Sequence, residues 1–324
     1  MGIGRFDLEA VCDIISKQGF QRVALQFPDQ FLSNCISIYK YITSRLANDC
    51  IDIFIIGDST YGSSIDDISA QHVDSDVLIY FGSDLSSSGS MPVIIVPFSK
   101  DVDFKSCFEQ IYQKLEQQGI EKNAPTLLLY ELSYHRSIHS SDGYSLFKNN
   151  DNLIIADIPS SASLSNWDSG KSHFSSSASQ TENFTKVGGL LVPTDVLNNP
   201  DLIIWYIGQK EEQRISINIR MSENTIVSYS PECDSCNLQK GCESKEFRER
   251  YGGLLRVKDA QIIGIIVGSM GLRGDITQAI ISRLETLIAA AKKSSYVFVM
   301  GRLNEAKLCN FPEVNTLNLW LLLT

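Results

Sequence analysis

Short apolar runs with little internal alternation recur along the chain, as in Val23-Ala24-Leu25-Gln26-Phe27, Ile51-Asp52-Ile53-Phe54-Ile55-Ile56 and Val77-Leu78-Ile79-Tyr80-Phe81. Between them, Leu8, Val11, Cys12 and Ile15, and then Phe31, Leu32, Ile36, Tyr39, Ile42 and Leu46, repeat at helical spacing. A strand that is apolar on both faces must be covered on both, and helix-length spacers supply that cover. The pattern therefore predicts α/β architecture: parallel sheets with helices on both faces.

The pattern restarts twice. Phe104, Cys107, Phe108, Ile111 and Leu115 mark one face of a helix, followed by strand-like runs at 126–130, 153–156, 202–207, 215–219 and 225–228. A run at 262–267 comes next, then a helix over 276–291 and a strand at 296–300. At 324 residues and 43% apolar, the chain exceeds one typical core and suits domains of roughly 100 to 150 residues. We expect three related α/β units, at residues 1–100, 101–255 and 256–324. Residues 160–180 are serine-rich with little apolar content, which predicts a mobile insertion in the second unit. Residues 231–245 read as a polar, cysteine-containing loop.

The net charge of -10 and the absence of a basic block argue against binding nucleic acid through its phosphates. Eight cysteines, mostly isolated, and an N-terminus without an apolar signal core predict a reduced, cytoplasmic protein. The apolar run at 317–323 is much shorter than the roughly 18 residues of a membrane span.

Several segments could carry chemistry. Gly57-Asp58-Ser59-Thr60-Tyr61-Gly62-Ser63-Ser64-Ile65-Asp66-Asp67 follows a strand and enters a helix, so its loop belongs at the carboxyl edge of a sheet, where α/β proteins keep their ligands. Asp66 and Asp67 are adjacent and cannot face each other as an acid–base pair; one of them is expected to cap the helix. Gly268, Gly271 and Gly274 make a second strand-to-helix turn, with Asp275 as a candidate cap, whose backbone could approach an anionic or nucleotide ligand. Cys233, Cys236 and Cys242 are the one local cysteine cluster and a candidate metal site, although no fourth ligand is in view. His135 and His139 share i, i+4 spacing in what reads as a polar loop, which disfavours a zinc pair.

Separated segments then point to a family. Ala24-Leu25-Gln26-Phe27-Pro28-Asp29, the Gly57 to Asp67 loop, Phe81-Gly82, Ile263-Gly264-Ile265-Ile266-Val267-Gly268-Ser269-Met270-Gly271 and Gly301-Arg302-Leu303-Asn304-Glu305-Ala306-Lys307 resemble, in order, the signatures of the diphthamide synthase family. Trp205-Tyr206-Ile207-Gly208, between them, resembles a further segment of the family. The resemblance is greatest to the second, non-catalytic subunit of the eukaryotic heterodimer. It implies three related α/β domains around a central site. It implies a complex in which a 4Fe-4S cluster cleaves S-adenosylmethionine and a 3-amino-3-carboxypropyl group passes to a histidine of elongation factor 2. The implied partners are the catalytic first subunit, elongation factor 2 and an electron-donor protein.

The chain departs from the family pattern at cluster positions. Ser64 stands where catalytic members carry a cysteine, and Leu322 occupies the place of another. A serine hydroxyl is a poor soft-metal ligand beside a thiolate. The family's third domain continues past the point where this sequence stops, so the resemblance implies that the third unit here is incomplete. The expected role is support and reduction of a cluster held by the partner subunit. Two other readings compete with it: a degenerate α/β binding module using the Gly268 to Gly274 turn, and a redox relay built on the three clustered cysteines.

Overall fold

The computed structural model describes residues 3–46, 51–57, 65–83, 85, 91–121, 124–140, 152–159, 183–268, 274–300, 305–312, 314 and 316–321. Asp7 opens α1 (Leu8–Gln18) by accepting a hydrogen bond from the Ala10 amide, and Gly19 closes it in the left-handed conformation at φ 71°. The chain then runs through β1 (Arg22–Gln26), α2 (Cys35–Arg45), β2 (Asp52–Ile55), α3 (Asp67–His72), β3 (Val77–Tyr80) and β4 (Val93–Ile95). These strands form one parallel sheet in the order β2-β1-β3-β4. Leu8, Val11, Ile15, Ile38 and Ile42 cover one face of it with an aromatic group around Phe6, where Phe31, Phe81 and Phe98 all meet its ring edge-on within 5.4 Å.

A second series follows: α4 (Phe104–Gln117), β5 (Thr126–Tyr130), α5 (His135–Ile138), β6 (Leu153–Ile155), β7 (Phe184–Val187), β8 (Leu190–Pro193), α6 (Thr194–Leu197), β9 (Ile203–Ile207), α7 (Glu211–Arg220), β10 (Thr225–Ser230) and β11 (Ser235–Lys240). Its main sheet reads β11-β10-β9-β5-β6 and is parallel except for the β10–β11 edge; β7 and β8 pair separately as a hairpin. The third series is α8 (Lys245–Asp259), β12 (Ile262–Gly268), α9 (Gly274–Ala290), β13 (Ser294–Met300), α10 (Glu305–Leu308) and β14 (Thr316–Leu321), with the parallel order β13-β12-β14.

Read by order of appearance, the first sheet is 2-1-3-4, the second is 2-1-3-4 with an antiparallel fifth strand added, and the described strands of the third are 2-1-3. The repeat that residue identities conceal is explicit in the strand order. The first two sheets meet where the chain leaves β5: Leu132 packs among Ala24, Ile56 and Tyr80, and the Lys100 amide donates to the Ser133 carbonyl at 2.8 Å. A cation follows the same path, since Lys100 Nζ lies 2.6 Å from Glu232 at the far end of β10.

Three expectations are corrected. Residues 215–219, whose isoleucines alternate as in a strand, lie in α7. The neighbouring β9 and β10 are parallel, and parallel neighbours need a crossover between them, which local alternation cannot override. Residues 231–245 are not one loop, because β11 finds an antiparallel partner in β10. Helix α9 begins at Gly274, so Asp275 lies within its first turn rather than ahead of it. The serine-rich 160–180 segment lies outside the described residues.

Helix α8 carries Gly252 and Gly253 in its middle, and a Cβ at either would meet no neighbouring atom within 4 Å. A mid-helix glycine costs about 1 kcal/mol relative to alanine. Gly252→Ala is therefore expected to raise stability in denaturant titration by about 0.5–1 kcal/mol; no gain would show that α8 is not helical at this point.

Candidate site at the carboxyl edges of the sheets

A 2-1-3 strand order sends successive crossovers to opposite sides of the first strand, which opens a crevice between the carboxyl ends of strands one and three. In the first sheet that crevice lies between β1 and β3. Gln26, the last residue of β1, is only 2% exposed. Its side-chain oxygen accepts a hydrogen bond from the Asp66 amide at 3.0 Å. Asp66 in turn caps α3, accepting from the Ser69 amide at 3.0 Å and from the Ser69 hydroxyl at 2.6 Å. The loop that carries Ser64 thus leaves β2 and is pinned on its return to the central strand. Ser64 itself lies outside the described residues.

The second sheet repeats one element of this edge. Its third strand ends in Tyr206-Ile207-Gly208, as the first sheet's ends in Tyr80-Phe81-Gly82. In both, the tyrosine ring folds back over the position a glycine Cβ would fill. At Gly208 that Cβ would also lie 2.9 Å from the Cβ of Glu131. Glu131 is 7% exposed, and neutral donors hold its carboxylate: the Ser133 hydroxyl at 3.0 Å and the Gln209 amide at 3.2 Å. The Tyr-x-Gly repeat was present in the sequence, 126 positions apart by residue number (206 − 80), but only the shared strand order identifies it as a repeat. Gly208→Ala should force Tyr206 or Glu131 from its place and cost about 1–3 kcal/mol, read as an earlier thermal unfolding transition; an unchanged transition would refute the close approach.

Where β5 ends, the Tyr130 hydroxyl donates to the Ala156 carbonyl at 3.0 Å, so it accepts from His135 Nδ1 at 3.0 Å, and the His135 proton sits on that nitrogen. The His135 and His139 rings lie 4.3 Å apart by their centroids. Burial pulls the His135 pKa down to about 4, with the neighbouring His139 adding to the effect. Burial also lowers that of His139, against the opposing charge of Asp157. Both rings are neutral near pH 7. Between the unfolded value near 6.5 and about 4, the unfolded chain binds more protons than the folded one, so stability is full above pH 6.5 and lost as pH falls below it. His135 alone should make the protein about 2 kcal/mol less stable at pH 5 than at pH 7. His135→Gln should flatten denaturant-measured stability over this range; an unaltered slope would show that His135 titrates normally in the fold.

The clustered cysteines are not brought together. Cys233 is exposed before β11, Cys236 is half-buried within it, and Cys242 lies in the turn beyond it. The strand between Cys233 and Cys242 spans roughly 20 Å. Burial raises the Cys236 thiol to about 11, which disfavours the thiolate a metal would need. Asp234, held at φ 44°, locks the hairpin instead, its Oδ1 accepting from Ser106 at 2.7 Å, Gln110 at 2.8 Å and Tyr229 at 2.8 Å. The hydrogen bonds from Ser106 and then Tyr229 hold its carboxyl below the usual range. Among the described residues, no group of three His, Cys, Asp or Glu side chains could hold a metal ion.

Gly268 ends β12 and Gly274 begins α9, the strand-to-helix placement expected of them; Gly271 lies outside the described residues. Leu322 follows β14 directly and is likewise outside. In the sequence, Ser64 follows β2 and Leu322 follows β14. As donors they do not fit an iron–sulfur cluster, since neither a hydroxyl nor an isobutyl group supplies a thiolate.

Repeated sheets of 2-1-3 strand order, their parallel strands joined by crossovers, define the class as doubly wound α/β. A family model described as "Putative diphthamide synthesis protein" matches residues 27–321, and the chain belongs to that family. A zebrafish protein named "2-(3-amino-3-carboxypropyl)histidine synthase subunit 2" is 28% identical over 316 residues, 94% of this chain and 59% of the relative. Proteins of the same name from Cryptococcus neoformans and human are 26% and 27% identical, covering 95% and 96% of this chain. The chain spans 58–62% of the length of these relatives. Among solved structures, Dph2 from Pyrococcus horikoshii superposes with a TM-score of 0.62 at 18% identity, covering 94% of this chain and 80% of that one. A second structure of that protein, described as containing a 4Fe-4S cluster, also has a TM-score of 0.62. These likenesses establish the fold. Among the described residues, no helix is long and apolar enough to cross a membrane.

Proposed function

We propose that this chain is the second subunit of a cytoplasmic, heterodimeric 2-(3-amino-3-carboxypropyl)histidine synthase, the transferase for the first step of diphthamide synthesis. In this reading the first subunit holds the 4Fe-4S cluster and cleaves S-adenosylmethionine, and a histidine of elongation factor 2 receives the 3-amino-3-carboxypropyl group. The present chain supports that subunit and helps keep its cluster reduced with electrons from a donor protein. The observation that carries the reading is the alignment of relatives named as subunit 2 along 94–96% of the chain. The donor chemistry agrees with it: in the sequence a serine, not a cysteine, stands two residues before the Asp66 that Gln26 anchors.

Co-expression with the first subunit of the same source is expected to give a complex that co-purifies through size exclusion and transfers the carboxypropyl group faster than the first subunit alone. A first subunit that does not co-purify and is fully active by itself would overturn the proposal.

A further inference from the structure

The chain passes from the first unit to the second at a single peptide. The Ser99 amide donates to the Arg5 carbonyl of the first unit at 2.9 Å, and the next amide, that of Lys100, donates to the Ser133 carbonyl of the second at 2.8 Å. Successive residues held by different units form a hinge, where a rotation between them is absorbed. Leu132, which packs into the first unit, is the neighbour of Ser133 and stands on this side of the seam.

The other side of the seam is the β7–β8 hairpin. It is built firmly into the second unit, because Val187, Leu190 and Val192 are fully buried in that core. Leu191 exchanges both backbone hydrogen bonds with Asp157, at 2.7 and 2.9 Å, and the Gly188 carbonyl accepts from Gln213 of α7 at 2.7 Å. Its tip is Gly188-Gly189, at φ 57° and 86°, the left-handed pair that a two-residue hairpin turn needs. The missing side chains have a second use. A Cβ on Gly188 would lie 3.0 Å from Ile217 of α7, and one on Gly189 would lie 3.0 Å from the Cβ of Leu85.

The bare tip is thus a slot for Leu85. That side chain follows β3 of the first unit and packs against both the group around Leu78 and Tyr80 and the core of the second unit. Ile158, next to Asp157, bridges the same two groups. Among the described residues, the tip meets the first unit by packing alone. Hydrogen bonds and deep burial fix the hairpin on one side and a half-buried leucine holds it on the other, so the leucine side is the one that parts first.

We infer that the hairpin is a clasp: Leu85 seated against Gly189 holds the first two units in one arrangement, and its release lets them rotate apart about the Ser99–Lys100 peptide. The clasp belongs to this chain alone and does not depend on the subunit reading above.

The test reads the distance between the two units by pulsed electron resonance in the full chain. Spin labels are attached through ketone-bearing unnatural residues at the exposed positions Asp13 of α1 and Glu109 of α4, which leaves the native cysteines in place. Wild type is expected to give one narrow distance distribution. Leu85→Ala should add a second, separate population and Leu85→Val a smaller one, whereas Leu85→Met, which keeps the volume, should match wild type. Thermal unfolding of each variant is recorded alongside to show that it folds. An unchanged distribution in the alanine chain, or in the valine chain should the alanine chain not fold, would overturn the clasp. A broad distribution in wild type, or a methionine chain broadened as much as the alanine one, would overturn it equally.

Discussion

Everything in this molecule is arranged around central strands hydrogen-bonded in parallel on both sides. Every residue of β3, β5 and β9 is buried, as are four of the five in β1. Such a strand cannot return by a tight turn to its neighbour; each connection must cross a face of the sheet, and a helix is the segment that does this without stranding backbone groups. Helix placement, the carboxyl-edge crevices and the clustering of loops at those edges all follow from this requirement. The recurring 2-1-3 order of the parallel strands is its outcome in each of the three larger sheets.

The same requirement separates what could be read from the sequence from what could not. Runs such as Val77 to Phe81 announce themselves because burial on both faces demands unbroken apolarity. The cap at Asp66 is equally local, since it depends on residues within one turn. Residues 215–219 failed because their alternation is compatible with a strand while their neighbours, five residues or more away in β9 and β10, demand a crossover helix. The β11 edge failed for a related reason: Ser235 to Lys240 is polar and carries two exposed ends, and it becomes a strand only because β10 offers an unpaired edge. Of the candidate site, the loop to Asp66 was evident, whereas the Gln26 anchor spans 40 positions and the Glu131 cradle 78, contacts no local pattern encodes.

The carboxyl edges combine precise anchoring with muted chemistry. Gln26 and Glu131 are buried polar groups that accept from the Asp66 amide and from the Ser133 hydroxyl and Gln209 amide respectively, so they fix backbone position. Asp234 plays the same part for the hairpin that carries Cys233, and it spends its carboxylate on Ser106, Gln110 and Tyr229.

Helix α8 extends that logic from the sheet edges to the outside of the molecule. Its amino end is fixed by the Ser244 hydroxyl, which accepts from the Phe247 amide at 3.1 Å, and by the Arg214–Glu246 pair to α7. Its carboxyl end is fixed from the third sheet, where Lys293 Nζ donates to the Val257 and Lys258 carbonyls at 2.7 and 2.5 Å, a cation placed where the helix dipole favours one. Helix α8 is therefore a support tied to α7 of the second series at one end and to the turn before β13 of the third at the other. Because α7 also leads from Gly208 and Gln209 at the second sheet's carboxyl edge, α8 lies one packed helix away from that edge.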